Sequence, residues 1–208
     1  MIRREDDGAL TILTLDRPDK ANSLTRAMMV DLIAALSDAG RKQAAVILTG
    51  AGKVFSAGAD LDEARAGLAT DPIWEELSGI MAALPCLTVV ALNGTLAGGA
   101  FGMALACDIR LSVPTAKFFY PVMKLGFLPQ PSDPARMAAL IGPGRARMIL
   151  MGGARIEAAE ALDWGLVDRL VAPEALLDEA RTLVADACAA PEGHAGRIKA
   201  LIPRVWSH

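Results

Sequence analysis

The sequence predicts an α/β fold, and three observations carry that prediction. Short apolar strands alternate with amphipathic helices, glycine-bearing loops follow two of the buried strands, and 53% of the residues are hydrophobic against 22% charged. A chain of 208 residues with a mean hydropathy of +0.35 can bury a substantial core, which excludes a disordered or fibrous protein. We expect one domain over 1–208, with a core to about residue 172 and a short helical part from about 173 to 208.

The elements follow in order. Ala9 to Leu15 is rich in β-formers and ends at Arg17-Pro18, so it reads as a strand and a turn. Met28, Met29, Leu32, Ile33 and Leu36 recur at helical spacing after Ser23 and Thr25, and Gly40 stands where that helix would stop. Ala44 to Thr49 is a short buried strand running into the Gly50-Ala51-Gly52 loop. Asp71-Pro72 supplies an N-cap and a first-turn proline for a helix toward Leu84, and Leu87 to Leu92 is the next buried strand. Gly98 to Ala106 is a run of small residues suited to a tightly packed helix. Asp133-Pro134 repeats the cap-and-proline pattern, and Gly142 ends that helix. Further helices are expected around Met148, Glu160 and Leu177, with Leu166 to Val171 strand-like between them.

Charge and rare residues narrow the function. With 21 Lys+Arg against 24 Asp+Glu, the net charge of −3 offers no broad basic face for nucleic acid or an anionic membrane. Cys86, Cys107 and Cys188 form no metal or disulfide pattern, and His194 and His208 both lie near the end of the sequence, so histidine triads and His-ligated metals are not expected. Acids directly after Arg3-Arg4 argue against a targeting peptide, and a reducing cytoplasm is the expected compartment. The stretch Leu77 to Cys107 carries no charge, yet Pro85, Asn93 and four glycines divide it into soluble elements rather than a membrane span.

Chemistry is expected at two loops, Phe55-Ser56-Ala57-Gly58-Ala59-Asp60-Leu61 and Asn93-Gly94-Thr95-Leu96-Ala97-Gly98-Gly99-Ala100. Glycine permits close backbone approach, and converging amide N–H groups would make an oxyanion hole; two ordinary tight turns are the alternative. These loops stand in order with Arg17-Pro18, Ala21-Asn22-Ser23-Leu24, Leu48-Thr49-Gly50, Ala106-Cys107-Asp108-Ile109-Arg110, Ala116-Lys117-Phe118 and Trp164-Gly165-Leu166-Val167-Asp168. Together, from about residue 9 to about residue 190, they resemble the enoyl-CoA hydratase/isomerase (crotonase) family.

The resemblance implies a crotonase-like spiral of ββα units and an acyl-CoA thioester substrate, with coenzyme A as part of that substrate and no tightly bound cofactor. By residue matching it places the N–H groups of Ala59 and Gly99 on the thioester oxygen, Ala57 and Leu61 beside the adenine, and Lys53 near the 3′-phosphate. It further implies a homo-trimer or hexamer, although the helical C-terminal region is shortened here. The two glutamates of the family's hydratases fall on Gly102 and Val122, neither of which transfers a proton. Gln130 stands where one isomerase branch carries a glutamate and can orient a group without acting as a base. Asp133 is the nearest carboxylate in sequence and reads as a helix N-cap or an acid, while Tyr120 reads as packing or a hydrogen-bond donor. Asp62, Glu63, Glu75 and Glu76 are rim acids or solvated charges. Three functions follow: a hydratase or isomerase acting through a thioester enolate, a decarboxylase on the same oxyanion hole, and a non-catalytic acyl-CoA-binding or assembly subunit.

Overall fold

The computed structural model describes residues 1–202, so His208 lies outside the described residues. Its architecture is α/β, with two mainly parallel sheets and helices packed around them. The larger sheet contains β1 (Ile2–Asp7), β2 (Leu10–Leu15), β3 (Ala45–Gly50), β5 (Leu87–Leu92), β7 (Ile109–Ser112) and β10 (Arg169–Leu170), hydrogen-bonded in that order. The smaller contains β4 (Val54–Ser56), β6 (Thr95–Ala97), β8 (Lys117–Phe119) and β9 (Ile156–Glu157). Successive turns of chain visit the large sheet, then the small one, then a helix. This is the ββα spiral.

Parallel strands buried on both faces need apolar side chains on both, and β2 and β3 comply: all of β2 is buried, as is β3 up to Gly50. The register lines up Ile12, Ile47, Val89 and Ile109 across four neighbouring strands. β1 is the element the sequence conceals. Its Arg-Arg-Glu-Asp-Asp run carries no apolar alternation, and it forms by antiparallel pairing with β2 as a mostly exposed edge whose charges guard it against intermolecular pairing.

The first helix, α1 (Arg26–Lys42), is capped by Thr25, whose side chain accepts the Met28 N–H at 3.2 Å. It runs through Gly40 rather than stopping there, because Gly40 faces a neighbour: a Cβ would stand 2.8 Å from Leu84 Cδ2. After the short α2 (Leu61–Arg65), α3 (Ile73–Ala83) starts where Asp71 Oδ1 accepts the Ile73 N–H at 2.9 Å. The charge-free stretch becomes the end of α3, β5, β6 and the wholly buried α4 (Phe101–Ala106). Among the described residues no helix is long and apolar enough to cross a membrane.

A short α5 (Val122–Leu125) precedes α6 (Asp133–Leu150). Gly142, at φ +80° and ψ +156°, breaks α6 into two pieces where the sequence places a stop, and Pro143 starts the second. The remaining helices are α7 (Ala158–Trp164), α8 (Leu176–Ala189) and α9 (His194–Leu201).

The entry of β6 depends on one residue without a side chain. A Cβ on Gly94 would overlap the Lys53 carbonyl oxygen and stand 3.0 Å from Val54 Cα. Gly94→Ala is therefore expected to destabilise the protein by about 1–3 kcal/mol in urea unfolding. Gly79→Ala, in α3 with nothing within 4 Å of the new Cβ, is expected to stabilise it by about 0.5–1 kcal/mol.

Candidate active site

The three parallel strands β4, β6 and β8 end side by side, with Ser56 opposite Leu96 and Leu96 opposite Phe118. The loops leaving their carboxyl ends therefore converge, as in other parallel sheets that bind ligands there. Those loops deliver Ala57, Ala59 and Leu61, Gly98 and Gly99, and Tyr120 to Val122 to one cavity of about 250 Å³.

The first loop is pinned by its neighbours. Asn22, at φ +51°, donates from Nδ2 to the carbonyls of Ala51 at 2.8 Å and Val54 at 2.7 Å, while its Oδ1 accepts the Arg17 N–H at 2.8 Å. Asn93 Oδ1 accepts from Gly50 N at 3.1 Å, and its Nδ2 donates to Gly52 O at 2.9 Å. Asp60 caps α2 by accepting the Asp62 and Glu63 N–H groups, and Arg17 meets it at 2.8 Å, holding that carboxyl below the usual range. These ties account for the Arg17, Asn22 and Asn93 motifs as positioning devices.

The loop meets Leu24 as a parallel bridge: Leu24 donates to Gly58 O at 2.7 Å and accepts from Asp60 N at 2.9 Å. Bridge geometry turns the intervening Ala59 N–H the other way, and it has no partner among the described residues. Gly99 lies in the opening turn before α4, where the first N–H groups of a helix lack intrahelical acceptors; its N–H also has no partner among the described residues. The two loops touch through glycine. A Cβ on Gly58, at φ +92°, would stand 3.0 Å from Ala97 O, 3.4 Å from Gly98 Cα and 3.6 Å from Gly99 N.

Ala57, Ala59, Leu61, Gly99, Tyr120, Val122 and Gln130 all line this cavity. Lys53 does not; it is exposed on the loop before β4 and forms no ion pair among the described residues. Leu61 is 73% exposed at the cavity mouth, beside Leu125, Phe127 and Leu128. Sequence reading misses Trp74, whose indole backs Gly99: a Cβ on Gly99 would meet the ring at 3.1 to 3.2 Å. Trp74 also donates from Nε1 to Leu68 O at 2.8 Å, and the only sequence signal for it is an aromatic in the first turn of a helix between the two glycine loops.

Asp133 corrects the N-cap reading. The capping position belongs to Ser132, whose N–H and hydroxyl are both held by the Glu75 carboxylate, so Glu75 is a structural tie rather than a solvated charge. Glu63 likewise accepts the Arg26 N–H at 2.7 Å, while Asp62 stays exposed with Arg65. The Asp133 carboxyl is fully buried behind the cavity wall and accepts the Tyr120 hydroxyl at 3.0 Å through Oδ2. Burial pushes it up to about 7, against the opposing pull of the Tyr120 hydrogen bond and Arg136. The same burial, with the nearby carboxylate, lifts the Tyr120 phenol far above its usual range. Tyr120 also stacks on Phe101, ring centroids 5.5 Å apart, so packing and hydrogen bonding coexist.

A larger cavity of about 610 Å³ lies elsewhere, between α8, α9 and the end of α4. Its walls are mostly apolar, and its charged lining includes Asp186 and two ion-paired groups, Lys199 with Asp108 at 2.8 Å and Arg110 with Asp168 at 3.0 Å. The glycine loops, with the unpartnered N–H groups of Ala59 and Gly99, do not line this cavity and form the candidate site.

A family model described as enoyl-CoA hydratase/isomerase matches residues 5–205. The chain belongs to the enoyl-CoA hydratase/isomerase family. It is 35% identical over 185 residues to a Rhizobium meliloti protein named a probable enoyl-CoA hydratase, an alignment covering 85% of this chain and 70% of that one. A Mycobacterium tuberculosis protein, also named a probable enoyl-CoA hydratase, is 36% identical over 181 residues, with 84% and 69% covered. Among solved structures, an enoyl-CoA hydratase from Mycobacterium marinum superposes with a TM-score of 0.87 at 32% identity, over 96% of this chain and 97% of that one. Within this enoyl-CoA hydratase/isomerase chain the two positions where the resemblance places glutamates differ in surroundings. Val122 lines the cavity, whereas Gly102 faces inward onto Asp133, whose Oδ1 would stand 3.1 Å from a Cβ there.

A carboxyl whose folded pKa of about 7 exceeds its unfolded value near 3.8 stabilises the fold below the unfolded value and loses that contribution as pH rises through about 7. Asp133→Asn keeps an acceptor for Tyr120 without the charge. Its melting temperature relative to wild type is expected to rise between pH 5 and pH 8, by at least ~2 °C for each ~1 kcal/mol of charge burial relieved.

Proposed function

We propose that this family member acts on acyl-CoA thioesters by stabilising a thioester enolate, with the N–H groups of Ala59 and Gly99 holding the carbonyl oxygen. The observation that carries this reading is the pair of unpartnered N–H groups on two loops in glycine contact, at one cavity. Loss of a proton or a carboxylate from the carbon beside the thioester carbonyl moves an electron pair onto that oxygen. Two fixed donors aimed at the developing charge favour the transition state over the ground state, and one such donor supplies about 3 kcal/mol. Coenzyme A enters as part of the substrate, with Ala57 and Leu61 flanking its adenine at the cavity mouth and the exposed Lys53 meeting the 3′-phosphate. The unit that does this is a homo-oligomer, trimeric or hexameric.

Hydration by two glutamates is not the proposed route, since Gly102 and Val122 offer no carboxyl. A second reading, decarboxylation of a malonyl-type thioester, is favoured by Val122. This apolar side chain on the cavity wall is 8% exposed, and an apolar wall strips water from a substrate carboxylate poised to leave as CO₂.

Incubation with butyryl-CoA in deuterated water is expected to give α-deuteration by mass spectrometry, and methylmalonyl-CoA tests the second reading by CO₂ release. Binding of both thioesters with neither reaction would leave only the acyl-CoA-binding subunit. Lys53→Ala is expected to weaken coenzyme A binding about tenfold by calorimetry, as loss of a charge-assisted phosphate contact should, and to leave dephospho-coenzyme A within about twofold. Equal losses for both ligands would remove Lys53 from the phosphate site.

A further inference from the structure

We infer that Tyr120 and Asp133 together form the proton-transfer device of this site, with the Asp133 carboxyl standing in the space that a side chain at Gly102 would otherwise take. The inference rests on the thioester-enolate reading and adds the group that moves the proton. Tyr120 is the member that faces substrate, since it lines the cavity; Asp133 acts through it from behind the wall. Tyr120 is therefore the catalytic residue and Asp133 its positioning and proton-accepting partner.

The geometry supports this in three ways. Tyr120 Oη and Asp133 Oδ2 are 3.0 Å apart in a buried environment, and the ring is fixed by stacking on Phe101. Asp133 Oδ1 has no hydrogen-bond partner among the described residues, so the carboxyl can take a proton without breaking a second contact. It lies against the place of the missing side chain at residue 102, where a Cβ would stand 3.1 Å from Oδ1 and 3.3 Å from Ser78 Cβ.

The step balances on these atoms. The C–H bond beside the thioester carbonyl breaks and its electron pair passes into the enolate. That proton joins Tyr120 Oη while the tyrosine's own proton moves to Asp133 Oδ2, leaving a neutral carboxyl, a neutral phenol and the enolate. The reverse sequence protonates the carbon, which also completes a decarboxylation. Every element packed around Asp133 bears on its titration: Tyr120 after β8, Glu75 and Ser78 on α3, Gly102 on α4, and Arg136 on α6. Arg136 favours the ionised carboxyl, Glu75 disfavours it, and Ser78 is occupied by Arg136 Nη1 at 2.8 Å. Burial places the midpoint near neutrality, which suits a group that must both take and return a proton.

The test measures α-deuterium exchange of butyryl-CoA against pH for wild type, Tyr120→Phe, Asp133→Asn, Asp133→Gly, Gly102→Glu and the double variant Gly102→Glu/Asp133→Gly. Acetyl-CoA affinity and melting temperature are measured alongside. Wild-type exchange is expected to rise with pH through an inflection near neutrality. Tyr120→Phe and Asp133→Asn should each lose about 100-fold or more with acetyl-CoA affinity held within about threefold, and Asp133→Asn should lose the inflection, which a merely structural role would not remove. The double variant returns a carboxyl to the vacated space and is expected to recover at least about tenfold over Asp133→Gly, whereas Gly102→Glu alone crowds two carboxyls and gains nothing. Exchange in Asp133→Asn within about threefold of wild type, with the inflection retained, would overturn this inference and leave the enolate reading standing. A wild type that binds acyl-CoA thioesters yet neither exchanges nor decarboxylates overturns both.

Discussion

The constraint on which this structure depends is the parallel pairing of three very short strands, β4, β6 and β8. Each contributes three residues, so the small sheet has little pairing energy of its own and holds its register through what surrounds it. Asn22 and Asn93 bond the carbonyls of the 51–54 turn from two sides, and Gly94 passes over Lys53 with no room for a side chain. Once that register is set, the backbone beyond each strand has nowhere to go but the common cavity. Parallel pairing here brings together two loops whose free N–H groups are set by the Leu24 bridge at Ala59 and by the helix start at Gly99.

Unpartnered N–H groups and a buried carboxyl both cost stability, so something must keep the chain from relaxing to satisfy them. For the first loop the restraint is the Leu24 bridge together with the Arg17–Asp60 pair, which fix Ala59 between two bonded neighbours. For Asp133 it is the clamp between α3 and the start of α6: Glu75 holds Ser132, and Arg136 reaches back to Ser78. Pro134, in the first turn of α6, needs no acceptor for a backbone N–H there. The energetic cost therefore falls on one small region, supported by helices whose other faces belong to the main core.

How much of this was legible in the sequence depends on which physical signal each element uses. β2, β3 and β5 are buried on both faces, and their apolar runs give them away; the two Asp-Pro pairs and Gly142 mark real helix boundaries. β1 escapes notice because its pairing is supplied by β2 and not by its own charged residues. Gly40 misleads because glycine serves close packing against Leu84 as readily as it ends a helix. The site divides the same way. Glycine loops advertise themselves by composition, so Ala57, Ala59, Leu61 and Gly99 come together as the resemblance implies. Trp74 and Glu75 do not, because their roles lie in contacts with residues 25 and 57 positions away in the chain, Gly99 and Ser132.

Asp133 is the most instructive failure of local reading. An aspartate before a proline at the start of a helix satisfies every rule for a cap, and those rules describe backbone needs alone. In this chain Ser132 stands at the N-cap position without a side-chain cap bond, its own N–H and hydroxyl held by Glu75, and the aspartate side chain lies in a different environment. That environment exists because residue 102, thirty-one positions earlier, has no side chain. Gly102 on α4 and the carboxyl at the head of α6 are packing neighbours. A reading that counts missing glutamates position by position finds a loss, whereas the packing shows a carboxyl standing 3.1 Å from where the side chain at residue 102 would begin. Its contact toward the cavity is the Tyr120 hydroxyl, since Tyr120 lines the cavity and Asp133 does not.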